Sequence, residues 1–205
     1  MRESIPGFRD TLACAAPCYA VWSSALSMTS LKAPIQLMSG SEVDRTIVRL
    51  AHEILERTTD LHSLVFAGIR RRGVPLAERI ARKIAELERI QIPVGILDIT
   101  MYRDDLTQVG QQPVVNNTEI PFPIAGKDVL IVDDVLYTGR TVRAAMDALF
   151  SLGRPARVQL LALIDRGHRE LPIEARYIGR VISTTPSQIV EVKLHEIDDA
   201  DKVLL

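Results

Sequence analysis

The chain has 205 residues, 47% of them apolar and 25% charged, and its formal net charge at pH 7 is −1. That is enough chain for one well-filled domain and too little for two large ones, and the near-neutral balance leaves any nucleic-acid binding to a local patch. No run of 18 apolar residues occurs, which argues against a transmembrane helix, and the only two cysteines, Cys14 and Cys18, exclude a disulfide framework and a four-ligand zinc site, as fits a reducing cytoplasm.

Residues 1–38 stand apart in composition. The stretch 11–28 carries no charge, but Pro17 and several Ser and Thr interrupt it, so it makes a poor signal-peptide core. Either the start lies further on, at Met28 or Met38, or these residues are a disordered extension. A single domain is expected over 39–205.

Ser39 and Glu42 have capping-box spacing, and Val43, Ile47, Leu50, Ala51, Ile54 and Leu55 then recur at helical intervals, which predicts an amphipathic helix ending near Thr58. Arg45, Arg49 and His52 fall on it, where a solvated face is the plain reading. Residues 64–69 read as a buried strand. Arg70, Arg71, Arg72 and Gly73 follow at once, and Pro75 then sits in the first turn of a helix marked by Leu76, Ile80, Ile84 and Leu87. A second strand is expected over 94–102. From 103 to 123 no period persists, and polar residues, Gly110 and three prolines predict a long mobile loop with Arg103 at its mouth.

The most informative stretch is VLIVDDVLYTGRT, residues 129–141. Val129 to Val132 read as a strand buried on both faces, with Asp133 and Asp134 at its carboxyl end, where open α/β sheets place their ligands. Two unpaired acids are costly to desolvate, so an open cleft with a partner is expected. Thr138, Gly139 and Thr141 precede a helix beginning near Thr141, whose N–H groups and dipole suit a phosphate. The plain alternative is a turn with Thr138 or Thr141 as helix cap. A P-loop is excluded, since Gly68 and Gly73 have the spacing but Val74 and Pro75 stand where Lys and Ser/Thr belong, and no G-x-G pair supplies a dinucleotide fingerprint.

That helix carries Val142, Ala145, Met146, Leu149 and Leu152 and stops at Gly153 and Pro155. Residues 158–164 form a further buried strand, followed by Asp165, Arg166 and His168. The alternation implies a parallel sheet covered on both faces. Two β-prone pieces, 177–182 and 189–194, are expected to build a lid over its carboxyl edge.

The 129–141 stretch resembles the phosphoribosyl diphosphate (PRPP) loop of type I phosphoribosyltransferases. From about Val43 onward the words RLAHEI, GIRRRGVPLA, LDITMYRDDLT, VLIVDDVLYTGRTVRAAMDAL and LIDRGHRELPI are similar to the PyrR family, bifunctional pyrimidine-operon regulators with uracil phosphoribosyltransferase activity. The resemblance implies the type I phosphoribosyltransferase fold, an α/β fold with a central parallel sheet flanked by helices and a small hood. It implies that Asp133, Asp134, Val135, Leu136, Tyr137, Thr138, Gly139, Arg140 and Thr141 bind PRPP or nucleotide, the two acids on the ribose hydroxyls. Arg71 and Arg72 would clamp pyrophosphate, and Arg103 in the flexible loop would close over it. Asp133, Asp134 and Arg103 are thus the catalytic candidates. Arg166 and backbone groups near Val190 would contact nucleotide and uracil.

Magnesium would be held mainly through PRPP, with no direct protein ligand assigned. The implied partners are uracil, UMP or UTP, a messenger-RNA leader stem-loop and further copies of the chain. For the RNA a basic face of Arg49, His52, Arg169, Arg176 and Arg180 is expected. Glu174 departs from the family, which often has Arg there, and Arg176 stands two residues on.

Overall fold

The computed structural model describes residues 34–99 and 118–205. Its centre is a five-stranded parallel sheet of β2 (Leu64–Ile69), β3 (Val94–Leu97), β4 (Asp128–Leu136), β5 (Arg157–Asp165) and β6 (Tyr177–Val181), in the order β3-β2-β4-β5-β6. Each strand is apolar on both faces because both are covered. Leu64, Phe66, Leu130, Val132, Leu161 and Leu163 pack against α1 (Gly40–Arg57) and α2 (Gly73–Glu88). Their alternates, Val65, Ala67, Val129, Ile131, Leu160 and Ala162, join the core under α3 (Arg140–Leu152). The period of two along a strand sends neighbours to opposite faces, so a continuous apolar run satisfies both layers.

A second, three-stranded antiparallel sheet forms the hood. It orders β1 (Gln36–Ser39), β8 (Lys202–Leu204) and β7 (Glu191–Lys193) as β1-β8-β7, with the short helix α4 (His195–Asp198) between β7 and β8. Met38, Val192, Leu194 and Val203 are buried in the same core as α1 and α2.

Several boundaries differ from the sequence reading. A strand that the sequence reading did not assign, Gln36–Ser39, precedes α1, because Ile35 and Leu205 exchange backbone hydrogen bonds of 2.8 and 2.9 Å and seat it on β8. The piece 177–182 does not build the lid. It extends the main sheet as β6, anchored by the fully buried Tyr177 and by Gly179, where any Cβ would run into the Leu163 carbonyl oxygen. The strand expected at 129–132 runs to Leu136, since β5 pairs with it as far as Leu136 opposite Asp165, whereas β2 accompanies it only to Val132. The strand expected over 94–102 is described only to Leu97, and residues 100–117 lie outside the description. The last part of the expected loop is packed, with Glu119 and Ile96 exchanging backbone hydrogen bonds and Ile120 and Phe122 lying on the α3-side core.

Candidate active site

From β2 the chain proceeds outward to β3, while β4, β5 and β6 extend the sheet in the other direction, so the order reverses between β2 and β4. Open α/β sheets hold ligands at the carboxyl ends of strands flanking such a reversal. The Arg70-to-Gly73 loop leaves β2 there, and Asp133 and Asp134 stand on β4 beside it. Two glycines permit the approach. A Cβ on Gly68 would lie 2.6 Å from Val74 Cα, and one on Gly73 would collide with the Val132 carbonyl oxygen. The Arg70–Arg71 peptide is cis.

Asp133 is 6% exposed. Its Oδ1 accepts from the Asp134 N–H at 3.0 Å, and Asp134 Oδ1 accepts from the Val135 N–H at 2.9 Å. Burial pushes the Asp134 carboxyl above its ordinary range, opposed by the positive charge of Arg72 and by the Val135 N–H. Arg71 is exposed and makes no hydrogen bond or ion pair among the described residues. Arg72 is engaged differently from the free clamp that its position suggested. Its Nε and Nη2 donate to Oδ2 and Oδ1 of Asp198 in α4, at 3.0 and 2.9 Å.

The turn after β4 is shaped by Gly139, whose φ of 93° is left-handed and favours glycine. Gly139 itself is the N-cap of α3, so neither Thr138 nor Thr141 fills that place. Thr138 Oγ1, just outside the helix, accepts from the Arg140 N–H at 3.4 Å, a long bond at the end where an anion is favoured. The turn is held from behind, as the Glu170 and Leu171 N–H groups donate to the Thr138 carbonyl at 3.0 and 3.2 Å. Exposed Arg140 donates to Glu170 at 2.7 Å.

Arg169, expected on an RNA-binding face, is instead an internal clamp. It donates to the carbonyls of Tyr137 at 2.6 Å and Ile173 at 3.0 Å, more weakly to those of Leu136 and Gly167, and to the Asp165 carboxylate at 2.6 Å. Only a planar five-donor fork satisfies so many converging acceptors, which is why this cation is drawn inward.

Arg166 is 7% exposed, lies over the Tyr137 ring, and donates to Thr184 Oγ1 at 3.3 Å and the Thr185 carbonyl at 3.1 Å. His168 Nε2 lies 2.6 Å from the Thr184 carbonyl. Val190 is buried in the core that also holds Val192, Leu194 and Val203 of the hood. Arg103 lies outside the described residues.

The remaining basic residues gather along α1 and β6. Arg49 donates to the carbonyls of Ile178 and Gly179 at 2.9 and 2.6 Å and pairs with Glu53. Arg180 donates to the Leu37 carbonyl at 2.6 Å. His52 and Arg176 are exposed. Arg49 and Arg180 share a depression of about 340 Å³ with Arg45, Thr46 and the acid Glu42. Sequence reasoning did not assign Asp198 or Thr46 to any site. Asp198 sits in an acidic run 126 positions from Arg72, and no spacing signal links them.

Among the described residues no group of three His, Cys, Asp or Glu side chains could hold a metal, and no helix is long and apolar enough to cross a membrane. The phosphoribosyl transferase domain model matches residues 36–197. Solved hypoxanthine phosphoribosyltransferases share the fold. That of Trypanosoma cruzi has a TM-score of 0.64 at 21% identity over 83% of this chain and 93% of its own. That of Staphylococcus aureus has 0.62 at 20%, over 83% and 90%. Closer in sequence are proteins named "Bifunctional protein PyrR". The one from Deinococcus deserti is 54% identical over 87% of this chain and 96% of its own, and the one from Chloroflexus aurantiacus 57% identical over 83% and 93%. The domain match over residues 36–197 and the identity of more than half of the aligned positions with these relatives show that the chain belongs to the phosphoribosyl transferase domain family and, within it, to the bifunctional PyrR proteins.

Proposed function

We propose that the chain transfers the 5-phosphoribosyl group of PRPP to N1 of uracil, giving UMP and pyrophosphate, and that uridine nucleotide in the same site governs its binding to a pyrimidine-gene messenger leader. The observation that carries the reading is the pairing of Asp133 and Asp134 with the glycine-shaped start of α3, separated by a turn of phosphate size, at the reversal of the sheet.

In this reading the two carboxylates accept from the vicinal ribose hydroxyls, and their charge favours the ribosyl ring as it becomes cationic. The residues from Val135 to Thr141 receive the 5′-phosphate, mostly through backbone N–H groups of the turn and the first turn of α3. Arg71 and Arg72 attract the departing pyrophosphate, and Arg103 closes over it, which keeps water from the activated sugar. Arg166 and the main chain near Val190 position the base. Catalysis is thus mostly positioning and electrostatics.

Magnesium fits this donor set. It keeps several waters and binds well through substrate phosphates, so PRPP would carry most of its coordination, with no protein side chain assigned as a direct ligand. When bound, the ion neutralises charge on the pyrophosphate as it leaves.

PRPP and messenger RNA both belong to the cytoplasm, and we place the protein there, as a homo-oligomer. The basic depression of Arg45, Arg49 and Arg180, with His52 and Arg176, supports an RNA face. Uracil-dependent consumption of PRPP with release of UMP tests the enzyme. Its absence, with PRPP still bound, overturns the choice of base. Titration of a pyrimidine-gene leader RNA against a scrambled RNA, with and without UMP, tests the regulator.

A further inference from the structure

Arg72 stands at the N-cap of α2, and Arg79 lies on the same helix two turns further on. Each makes a two-toothed ion pair with α4 of the hood. Arg79 donates through Nε and Nη2 to the two oxygens of Glu196 at 2.7 and 2.6 Å, and through Nη2 to Asp201 at 2.8 Å. Arg72 spends Nε and one N–H of Nη2 on Asp198, whose Oδ2 also accepts from the Leu194 N–H at 3.1 Å.

The two pairs differ in what remains. The Arg79 side chain is 13% exposed and acid lies on three sides of it, with Asp44 at 4.0 Å. Arg72 is 29% exposed, and among the described residues its Nη1 and the second N–H of Nη2 make no hydrogen bond. Its charge is felt by Asp134 across the cleft. A guanidinium gripped along one edge keeps the orientation of the opposite edge, because the fork is planar and rigid.

We propose that Asp198 is a positioning residue for pyrophosphate: it grips one edge of Arg72 so that the other edge faces the cleft beside Asp134, tying the leaving-group loop to the hood. This rests on the phosphoribosyl transfer proposed above. The Arg79 fork is closed in by acid from Glu196, Asp201 and Asp44, whereas the Arg72 fork keeps donors open beside the site.

The test compares Asp198→Asn with Glu196→Gln in the full-length chain. Asparagine presents an NH₂ to the guanidinium and breaks the fork. Asp198→Asn is expected to raise KM for PRPP, and for pyrophosphate in the reverse reaction, by roughly tenfold while KM for uracil stays within about twofold. Glu196→Gln is expected to lower the melting temperature and leave all three KM values near wild type. Asp198→Glu, which keeps the charge on a longer arm, is expected to fall between. Equal changes in Asp198→Asn and Glu196→Gln, or no change in KM for PRPP in any Asp198 variant, overturn the proposal. Calorimetric PRPP affinity of the same variants gives the same reading if uracil is not the acceptor, so failure of the latch and failure of the base assignment are told apart.

Discussion

The Arg166 guanidinium lies 4.1 Å from the centre of the Tyr137 ring, so a residue following β5 is seated on the turn that follows β4. This cation–π contact, with two bonds to Thr184 and Thr185, leaves a buried charge beside that turn. Arg166→Lys keeps the charge but loses the planar stack, and is expected to lower uracil-dependent kcat/KM by about 1–3 kcal/mol. Combined with Tyr137→Leu, the loss should be less than the sum of the two single losses. Strict additivity would show that the stack contributes nothing to the site.

Asp134→Asn is expected to lower UMP synthesis by about 2–4 kcal/mol in activation free energy, the size found when one charge-stabilising group is removed from a transition state. The same change should leave the melting temperature level or raise it, because burial already disfavours the Asp134 charge in the folded state. Near-normal turnover would remove the ribose assignment.

Hood stability should fall in acid. Glu196 and Asp198 are held below the ordinary carboxylate range by hydrogen bonds from Arg79 and Arg72, and in Asp201 burial, the largest single influence, works against the charge but is outweighed by the Arg79 bond, the His195 N–H and the nearby positive charge together. A lowered folded value means stability that is present above the unfolded value and lost as pH falls through the folded one, here from about pH 5 downward. Asp134 acts with the opposite sign, since its raised value makes the charged form unfavourable above the unfolded value. Melting curves between pH 7 and pH 3 check this. Glu196→Gln should lose less stability across the interval than the wild type, and identical pH dependence would show that the Arg79 pair contributes none of it.

On the RNA side, Arg180→Glu is expected to weaken binding of a leader RNA while sparing UMP synthesis, and affinity should fall with salt. Glu174, exposed near Arg176, should repel phosphate, so Glu174→Arg is expected to strengthen binding by ~1 kcal/mol or less. Arg169→Ala should lower catalysis too, because Arg169 holds the Leu136 and Tyr137 carbonyls. Titrations at two salt concentrations, with and without UMP, decide among these outcomes.

Local pattern was enough for the parts of this protein whose causes are local. The helix over Gly40–Arg57, the strand Leu64–Ile69 and the stop at Gly153 follow from apolar period, capping and glycine placement, which act over a few residues. The acid pair and the glycine turn were legible for the same reason. Tertiary structure alone decided where those pieces meet. Residues 177–182 have the same β-prone composition in a lid or a sheet, and it is the buried Tyr177 and the clearance at Gly179 that seat them beside β5. Gln36 to Met38 read as a tail until β8, more than 160 positions later, supplies their hydrogen bonds. Arginines carry the same charge wherever they stand. Arg169 became a scaffold, Arg72 a gripped fork and Arg71 an open one according to which acceptors the fold brings within 3 Å, and that is a property of distant chain segments which no spacing along the sequence records.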